Sequence, residues 1–534
     1  MPTFIYSDTP EQKYASLISQ THRKKYAQFF TPFKIAEFMA SWIVGDRSHL
    51  KILDPAVGLG IFIRAAHKID KHLQFIGYDI DAAVLSEAKK LFSHHSINAE
   101  LSIKDYLFND WQNKYDGIIS NPPYLKFQDF KNRVDALQEF QSRLGIKLSG
   151  FSNIYTLFLI KSLCQLNWNG KAAYIIPSEF LNADYGKNVK AFLLKNRMLR
   201  YVFIFDFKKN IFENALTTAS IFLFSNDDKN EEVKFINISQ LKELEAISFN
   251  KKLIGSSIKG KTIHYDLIKP DIKWRRYYQE SVAEKYKNLK NLVPFTHYAK
   301  VSRGIATGAN DYFTFDNEKR KNFSLPSKYL LPCICKSNQV KDTIFTWDSF
   351  HYLKNHDHNV YLFDAQTADN EAVKSYLALG EKLEIHKKYL TRHRTPWYAI
   401  ENRLPAPIWV GVFNRNGLKF IRNEANIKNL TAFHCIYVNL FSQNKLALFF
   451  SYLLTDIAKE IFSDNRREYG GGLEKFEPND LNKSYVLNLE VINSASEKII
   501  LERYNKYRLS VINGQPDNCL QEELNHIFLK LLQK

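Results

Sequence analysis

The chain has 534 residues, 45% of them hydrophobic and 24% charged, which predicts a folded protein too long for one hydrophobic core and built as two domains. Its net charge of +18 is unevenly spread: residues 1–250 hold 31 Lys and Arg against 26 Asp and Glu, and residues 251–534 hold 43 against 30. So basic a C-terminal half suits a polyanion such as nucleic acid. No run nears the ~20 apolar residues of a membrane span, residues 1–13 lack the apolar core of a secretory leader, and the five cysteines are too scattered for a disulfide framework. These readings exclude a membrane protein and point to the cytoplasm. Cys333 and Cys335 form a lone C-x-C without a second pair, so no metal site is expected.

Apolar runs and amphipathic stretches alternate from residue 50 to about 226. A buried strand over 51–53 precedes a helix over 60–69, and a strand over 73–78 precedes a helix over 81–93. Strands follow at 99–103 and 115–120, then a helix at 154–166, a strand at 172–176, a helix at 187–195, and β-rich runs at 201–205 and 218–225. Such alternation predicts a mostly parallel sheet with helices on both faces. Its ligands should gather beyond the carboxyl ends of the strands. Residues 227–234 are dense in charge, and 236–290 read as a connecting region after a first domain over 1–235. The remainder, 291–534, is rich in aromatic, Asn, Arg and Lys residues with short β-like runs at 408–413 and 435–440, which predicts a mixed α/β domain.

Four motifs sit where that sheet would present them. Asp54-Pro55-Ala56-Val57-Gly58-Leu59-Gly60 follows the first strand, with two glycines that tolerate positive φ and let backbone approach a ligand. The second strand ends at Asp79-Ile80-Asp81; Asp81 is placed to cap the next helix, which leaves Asp79 for a ribose. Asp105 follows the third strand and is suited to accept a bond from an adenine amino group. Ser120-Asn121-Pro122-Pro123-Tyr124 follows the fourth strand. There the Asn121 amide oxygen and the Pro122 carbonyl, held side by side, would accept both hydrogens of an –NH₂ group and draw its nitrogen towards tetrahedral geometry. Those bonds strengthen as the nitrogen gains charge, which lowers the barrier rather than merely tightening binding. Tyr124 would stack on the base that carries the amine.

Taken in order, these motifs resemble the amino-methyltransferases of bacterial type II restriction–modification systems, in the gamma arrangement typified by the TaqI enzyme. The resemblance runs along residues 23–226 and continues loosely to the C-terminus. It implies a Rossmann-like class I methyltransferase sheet, mostly parallel with a terminal antiparallel hairpin, followed by a target-recognition domain. It implies S-adenosylmethionine as cofactor, double-stranded DNA as partner, and adenine N6 as the methyl acceptor. Gln28-Phe29-Phe30-Thr31-Pro32 resembles the family's N-terminal cofactor motif, which would place Thr31 at the methionine carboxylate. Ala56 and Gly58 would then line the methionine moiety with Asp54 supporting their loop, Asp79 would bind the ribose, Ile80 would pack on the cofactor adenine, Asp105 would read its amino group, and Phe158 would close the pocket. Phe212, in Ile211-Phe212-Glu213-Asn214, resembles the second stacking aromatic, so that an extruded base would lie between Tyr124 and Phe212. Arg303-Gly304-Ile305-Ala306-Thr307-Gly308-Ala309-Asn310, Gly470-Gly471-Gly472-Leu473 and Pro478-Asn479-Asp480-Leu481 resemble recognition-domain signatures. The mix of guanidinium and aromatic groups in Arg392-His393-Arg394-Thr395-Pro396-Trp397-Tyr398 suits phosphate and base contacts.

The competing readings are a cytosine-N4 enzyme, a protein-glutamine or RNA amino-methyltransferase, and a DNA-binding protein that keeps the fold without the chemistry. Asn-Pro-Pro-Tyr favours adenine over cytosine, the long basic C-terminal region favours DNA, and the intact set Asp54, Gly58, Asp79, Asp105, Asn121 and Tyr124 favours an active enzyme. Because the cofactor motif begins within about 30 residues of the start, no nuclease domain is expected ahead of it. A cognate restriction endonuclease would then be a separate chain, with the protein acting as a monomer on DNA.

Overall fold

A computed structural model describes residues 4–125, 130, 132–146, 153–205, 219–228, 231–245, 247, 259–279, 282, 289–365, 369–415, 417–469 and 473–534. The chain divides into two compact units, Met1–Glu280 with Glu468–Gly472, and Ser281–Arg467 with Leu473–Lys534.

The first unit is a nine-stranded sheet: β1 (Lys51–Asp54), β2 (Gln74–Asp79), β3 (Ala99–Ile103), β4 (Tyr115–Ser120), β5 (Leu166–Pro177), β6 (Leu199–Phe205), β7 (Ala219–Ser225), β8 (Glu232–Ile238) and β9 (Lys261–His264). Their spatial order is β3-β2-β1-β4-β5-β7-β6-β8-β9. The first five pair in parallel, and β7 runs antiparallel between β5 and β6. The chain leaves β1 towards β2 and β3, then returns to lay β4 on the other side of β1. That reversal is the topological switch point at which such sheets bind ligands.

The helices of this unit include α1 (Thr9–Leu17), α2 (Gln20–Lys25), α3 (Phe33–Val44), α4 (Ile61–Ile69), α5 (Ala82–His94), α6 (Arg133–Leu144), α7 (Ile154–Cys164), α8 (Glu179–Asn182) and α9 (Lys187–Asn196). Most have one polar face, as a helix lying on a sheet should. α7 differs: ten of its eleven residues are buried, from Ile154 to Leu163. α5 starts where Asp81 caps it, its Oδ1 accepting the Ala83 N–H at 3.1 Å.

Three expectations need correction. The hairpin of β6 and β7 is not terminal, because β8 pairs in parallel with β6 and β9 lies antiparallel to β8. Residues 236–238 and 261–264 accordingly belong to this sheet rather than to a separate connector. Val233, Phe235, Ile236 and Ile238 are buried, while Glu232 and Asn237 face outward; the charges among them hid a strand. Phe235 stacks on Tyr277 with centroids 5.7 Å apart and meets Trp274 edge-on, which seals Trp274 and Tyr277 onto the same core. Finally, β5 begins at Leu166 rather than 172, since an irregularity separates the Tyr115–Leu166 pairing from the regular register that starts at Gly117–Lys171.

The second unit is mixed α/β. A five-stranded sheet runs in the order Ala299–Arg303, Phe433–Val438, Ile408–Gly411, Phe420–Asn423, Ile344–Phe345. A four-stranded sheet joins Thr314–Phe315, Tyr361–Phe363, Leu330–Ile334 and Lys428–Asn429. The helices Ser494–Ile512 and Asn518–Gln533 pack together and contribute Ile500, Tyr504, Leu524 and Phe528 to one of its two apolar cores. Cys333 and Cys335 are buried thiols in the other. Among the described residues no helix is long and apolar enough to cross a membrane.

Candidate active site: a cleft at the switch point of the first unit

A cleft enclosing about 1090 Å³ of empty space, its open mouth included, lies beyond the carboxyl ends of β1–β4. Its wall includes Thr31, Ala56, Gly58, Asp79, Ile80, Asp105, Asn121 and Phe158. Eight residues chosen from scattered motifs thus meet in one cavity.

The loop after β1 shows why it carries two glycines. Gly58 has φ +53°, and a Cβ there would meet no protein atom within 4 Å. Gly60 has φ +75°, and a Cβ there would lie 2.2 Å from Cζ of Phe92, which is buried in α5. Gly60 therefore serves packing, whereas Gly58 keeps backbone bare against the cleft. Asp54, fully buried, accepts the Ala56 N–H at 3.1 Å and fixes the turn; burial, reinforced by the nearby Asp79 charge, pushes its carboxyl up to about 8.

At the end of β2, the two Asp79 oxygens each accept one backbone N–H, from Gly58 and Asp81, both at 2.9 Å. A carboxylate has about four acceptor positions, so these bonds leave it able to accept from a hydroxyl as well. Burial raises the Asp79 carboxyl above its ordinary range. Ile80 is 55% exposed, a large apolar side chain left bare beside that carboxylate. After β3, Asp105 Oδ1 accepts the Leu107 N–H at 3.1 Å, and burial pushes this carboxyl up as well.

The N-terminal segment completes the cleft with Glu11 and residues 25–31. It is tied down at two points. The buried Arg64 of α4 donates to the Ile5 carbonyl at 2.6 Å, to the Ser7 carbonyl at 3.1 Å and to Glu11. Asp81 Oδ2 bonds His22 Nε2 at 2.8 Å and accepts Gln28 Nε2 at 2.7 Å, so the cap of α5 also anchors this segment.

Asn121 sits where cofactor and base pockets would meet. Its Nδ2 donates to the Phe29 carbonyl at 2.9 Å and to Thr31 Oγ1 at 3.0 Å. A carbonyl only accepts, so these contacts fix which end of the amide is nitrogen and leave Oδ1 for another donor. Pro122 beside it is buried. Tyr124 is anchored by its hydroxyl, which donates to the Ile175 carbonyl at 3.1 Å. Its ring stacks against Phe29, centroids 5.8 Å apart and planes 19° from parallel. Phe29, 39% exposed, was not singled out from the sequence, although it stands inside the Thr31 motif. Phe212 lies outside the described residues.

In the second unit, the Arg303–Asn310 loop lines a shallow recess with Phe413, His434 and Lys475. Gly304 is required there, since a Cβ would lie 2.3 Å from the Leu430 carbonyl oxygen. Arg394 donates to the carbonyls of Ala306 and Thr307, and Trp397 packs against Tyr312. Those two residues of the 392–398 stretch support the loop from within instead of standing free for phosphate. The Pro478–Asn482 helix is also structural, with buried Asp480 accepting from Arg467 Nε at 2.9 Å. Of the glycine-rich signature, 470–472 lie outside the described residues.

A parallel sheet with this order, a bare glycine facing the cleft, an oriented carboxylate after β2 and an exposed isoleucine beside it define a class I S-adenosylmethionine-dependent methyltransferase. The N-6 DNA methylase family model matches residues 11–282, and the model for the C-terminal domain of type II methyltransferase M.Eco57I matches 272–519. The chain is 48% identical over 526 residues to type II methyltransferase M.AccI of Acinetobacter calcoaceticus, covering 98% of this chain and 96% of that one. Against type II methyltransferase M.XamI of Xanthomonas campestris pv. amaranthicola the identity is 22%, covering 87% and 86%. The solved structure of the type IIL restriction–modification enzyme MmeI with DNA shares the fold at a TM-score of 0.57 and 13% identity, covering 91% of this chain and 70% of that one. The protein belongs to the N-6 DNA methylase family: it is an adenine-specific, S-adenosylmethionine-dependent DNA methyltransferase of the type II restriction–modification kind.

Proposed function

We propose that the cleft divides between cofactor and target base, with Asn121 at the division. The bound cofactor supplies a methyl group made electrophilic by its sulfonium. Gly58, Asp79, Ile80 and Asp105 fit that cofactor: bare backbone and Ala56 for the methionine part, paired acceptors for the ribose, an apolar face and a carboxylate for the adenine. Thr31 and Phe158 close the two ends, and Asp54 holds the glycine loop.

The target adenine leaves the duplex, because its amino group is otherwise out of reach. Asn121 Oδ1 and the Pro122 carbonyl accept its two hydrogens, while Tyr124 and Phe212 stack on its faces. The observation that carries this reading is the bonding of Asn121. Both Nδ2 hydrogens are taken by Phe29 and Thr31, so the amide is locked with its oxygen available. We assign target recognition to the second unit, supported by the recess holding Arg303 and Lys475. One protomer acts on one site in the cytoplasm, alongside a separate cognate endonuclease.

A duplex with 2-aminopurine at the target position tests this, since its fluorescence rises on unstacking. Wild-type protein should raise it, and Asn121→Ala should keep much of the rise while single-turnover methylation of the matching adenine duplex falls by orders of magnitude, as removal of a transition-state contact requires. Site binding without any rise would overturn the extruded-base reading.

A further inference from the structure

Helix α7 holds a side chain that its place in the core does not call for. Lys161 is fully buried, as are its neighbours Ser162 and Thr156, and a buried ammonium is strongly unfavourable unless its hydrogens are satisfied. Lys161 Nζ donates to two neutral backbone acceptors, the carbonyls of Tyr106 and Asn109. Its charge lies 4.1 Å from the Tyr106 ring centroid and 4.4 Å from that of Trp111.

The same helix end reaches the same loop twice more. Ser162 Oγ lies 2.9 Å from the Tyr106 hydroxyl, which donates to Gln165 Oε1 at 2.5 Å. Gln165 Nε2 donates to the carbonyls of Asp110 and Asn113. Residues 161 and 165 share a helix face by their spacing, so a single turn pins the loop at Tyr106, Asn109, Asp110 and Asn113. That loop opens with Asp105, whose carbonyl accepts the Asn109 N–H at 3.1 Å and Asn109 Nδ2 at 2.9 Å.

The geometry points to Lys161, together with Ser162 and Gln165, as positioning residues that hold Asp105 where it discriminates the cofactor's adenine. The inference rests on the reading of Asp105 given above. Electrostatics act in the same direction: burial raises the Asp105 carboxyl, and the Lys161 charge opposes that rise, favouring the ionised form that accepts an amino hydrogen.

The test compares S-adenosylmethionine with its inosine counterpart, which lacks the 6-amino group, using full-length protein. Wild-type protein should prefer the adenosine form, and Asp105→Ala should abolish the preference. Lys161→Met should lower the preference by about tenfold, the scale of one hydrogen bond to a charged group, and raise KM for S-adenosylmethionine. Its kcat at saturating cofactor and its DNA affinity should stay near wild type. Gln165→Met should do the same more weakly, and decides the matter should Lys161→Met not fold. If Asp105→Ala abolishes the preference but the folded α7 variants keep it intact, the positioning role is overturned. If Asp105→Ala itself leaves the preference unchanged, the assignment of Asp105 has failed instead, and the inference with it.

Discussion

The two glycines after β1 sit two residues apart and both adopt positive φ, +53° at Gly58 and +75° at Gly60, yet alanine should damage different properties at each. A left-handed non-glycine residue costs about 1–2 kcal/mol at either position. At Gly58 the added Cβ meets no protein atom within 4 Å, so the stability loss should stop there, a fall in Tm of about 2–8 °C for a unit of this size. The methyl group instead enters the cleft, where the proposed cofactor would lie. Overpacking of about 1–3 kcal/mol should weaken S-adenosylmethionine about 5- to 150-fold. At Gly60 the Cβ would lie 2.2 Å from Phe92 Cζ in the buried core. Strain and overpacking then both fall on the fold, about 2–5 kcal/mol together, with cofactor affinity near wild type wherever the protein remains folded. Calorimetric titration with S-adenosylmethionine, paired with thermal melts, separates the two. Equal behaviour of Gly58→Ala and Gly60→Ala, or wild-type affinity for Gly58→Ala, would refute the assignment of the bare backbone to the cofactor.

Three further perturbations follow from the same geometry. Arg64→Met leaves Glu11 buried without its cation, a loss of about 3–5 kcal/mol; the segment over 4–31 should then be cut faster by protease and KM for S-adenosylmethionine should rise, while Arg64→Met with Glu11→Met should recover much of the stability. Burial lowers the Lys161 ammonium to about 7, against the nearby charges of Asp110 and Asp105, with Arg143 adding to the fall and Glu139 opposing it. The unfolded chain thus binds the extra proton between about pH 7 and the ordinary lysine value, so wild-type stability relative to Lys161→Met should increase as pH rises through that window; a flat difference between the two urea-melt series would contradict it. In the second unit, Arg303, half exposed and 3.8 Å from Glu401, should contact one phosphate, so Arg303→Ala should reduce the log–log salt slope of DNA binding by about 0.9, and an unchanged slope would remove it from the interface.

Much of the cleft was legible because its residues sit at strand ends, where local sequence and fold position coincide. Asp54, Asp79 and Asn121 each follow a run of largely buried residues, and Asp105 follows β3, in which only Leu101 is buried, so finding β1 to β4 found them. Asp81 was separable from Asp79 by capping alone, and the 3.1 Å bond to Ala83 bears that out. Phe29 was missed because its motif drew attention to Thr31, and nothing in one dimension says that residues 92 positions apart will share a hydrogen bond. β8 was hidden by Glu232 and Lys234, whose charges alternate with Val233 and Phe235 and mimic a solvated linker. The 392–398 stretch was legible only in part, for the opposite reason. Guanidinium and aromatic groups look alike whether they wait for DNA or brace a loop, and Arg394 braces one.

The bonds of residues 22–31 carry one consequence beyond any single residue. Gln28 and His22 hold Asp81, next to the Asp79 carboxylate, while Phe29 and Thr31 hold the Asn121 amide. A stretch of ten residues thus fastens onto the ends of both β2 and β4, and its Phe29 ring lies against Tyr124. If cofactor and base bind as proposed, their pockets share this wall and would not be independent sites in the thermodynamic sense. Losses at the two should combine non-additively wherever a substitution frees the shared segment, and should add wherever it does not. Gly58→Ala, which removes none of the segment's bonds, should add to Tyr124→Ala in the cost of single-turnover methylation. Gln28→Leu should not, because releasing one end of the segment already disturbs the acceptor that Tyr124 serves. An additive Gln28→Leu with Tyr124→Ala pair would mean that the two pockets, though they share a wall, do not act through it.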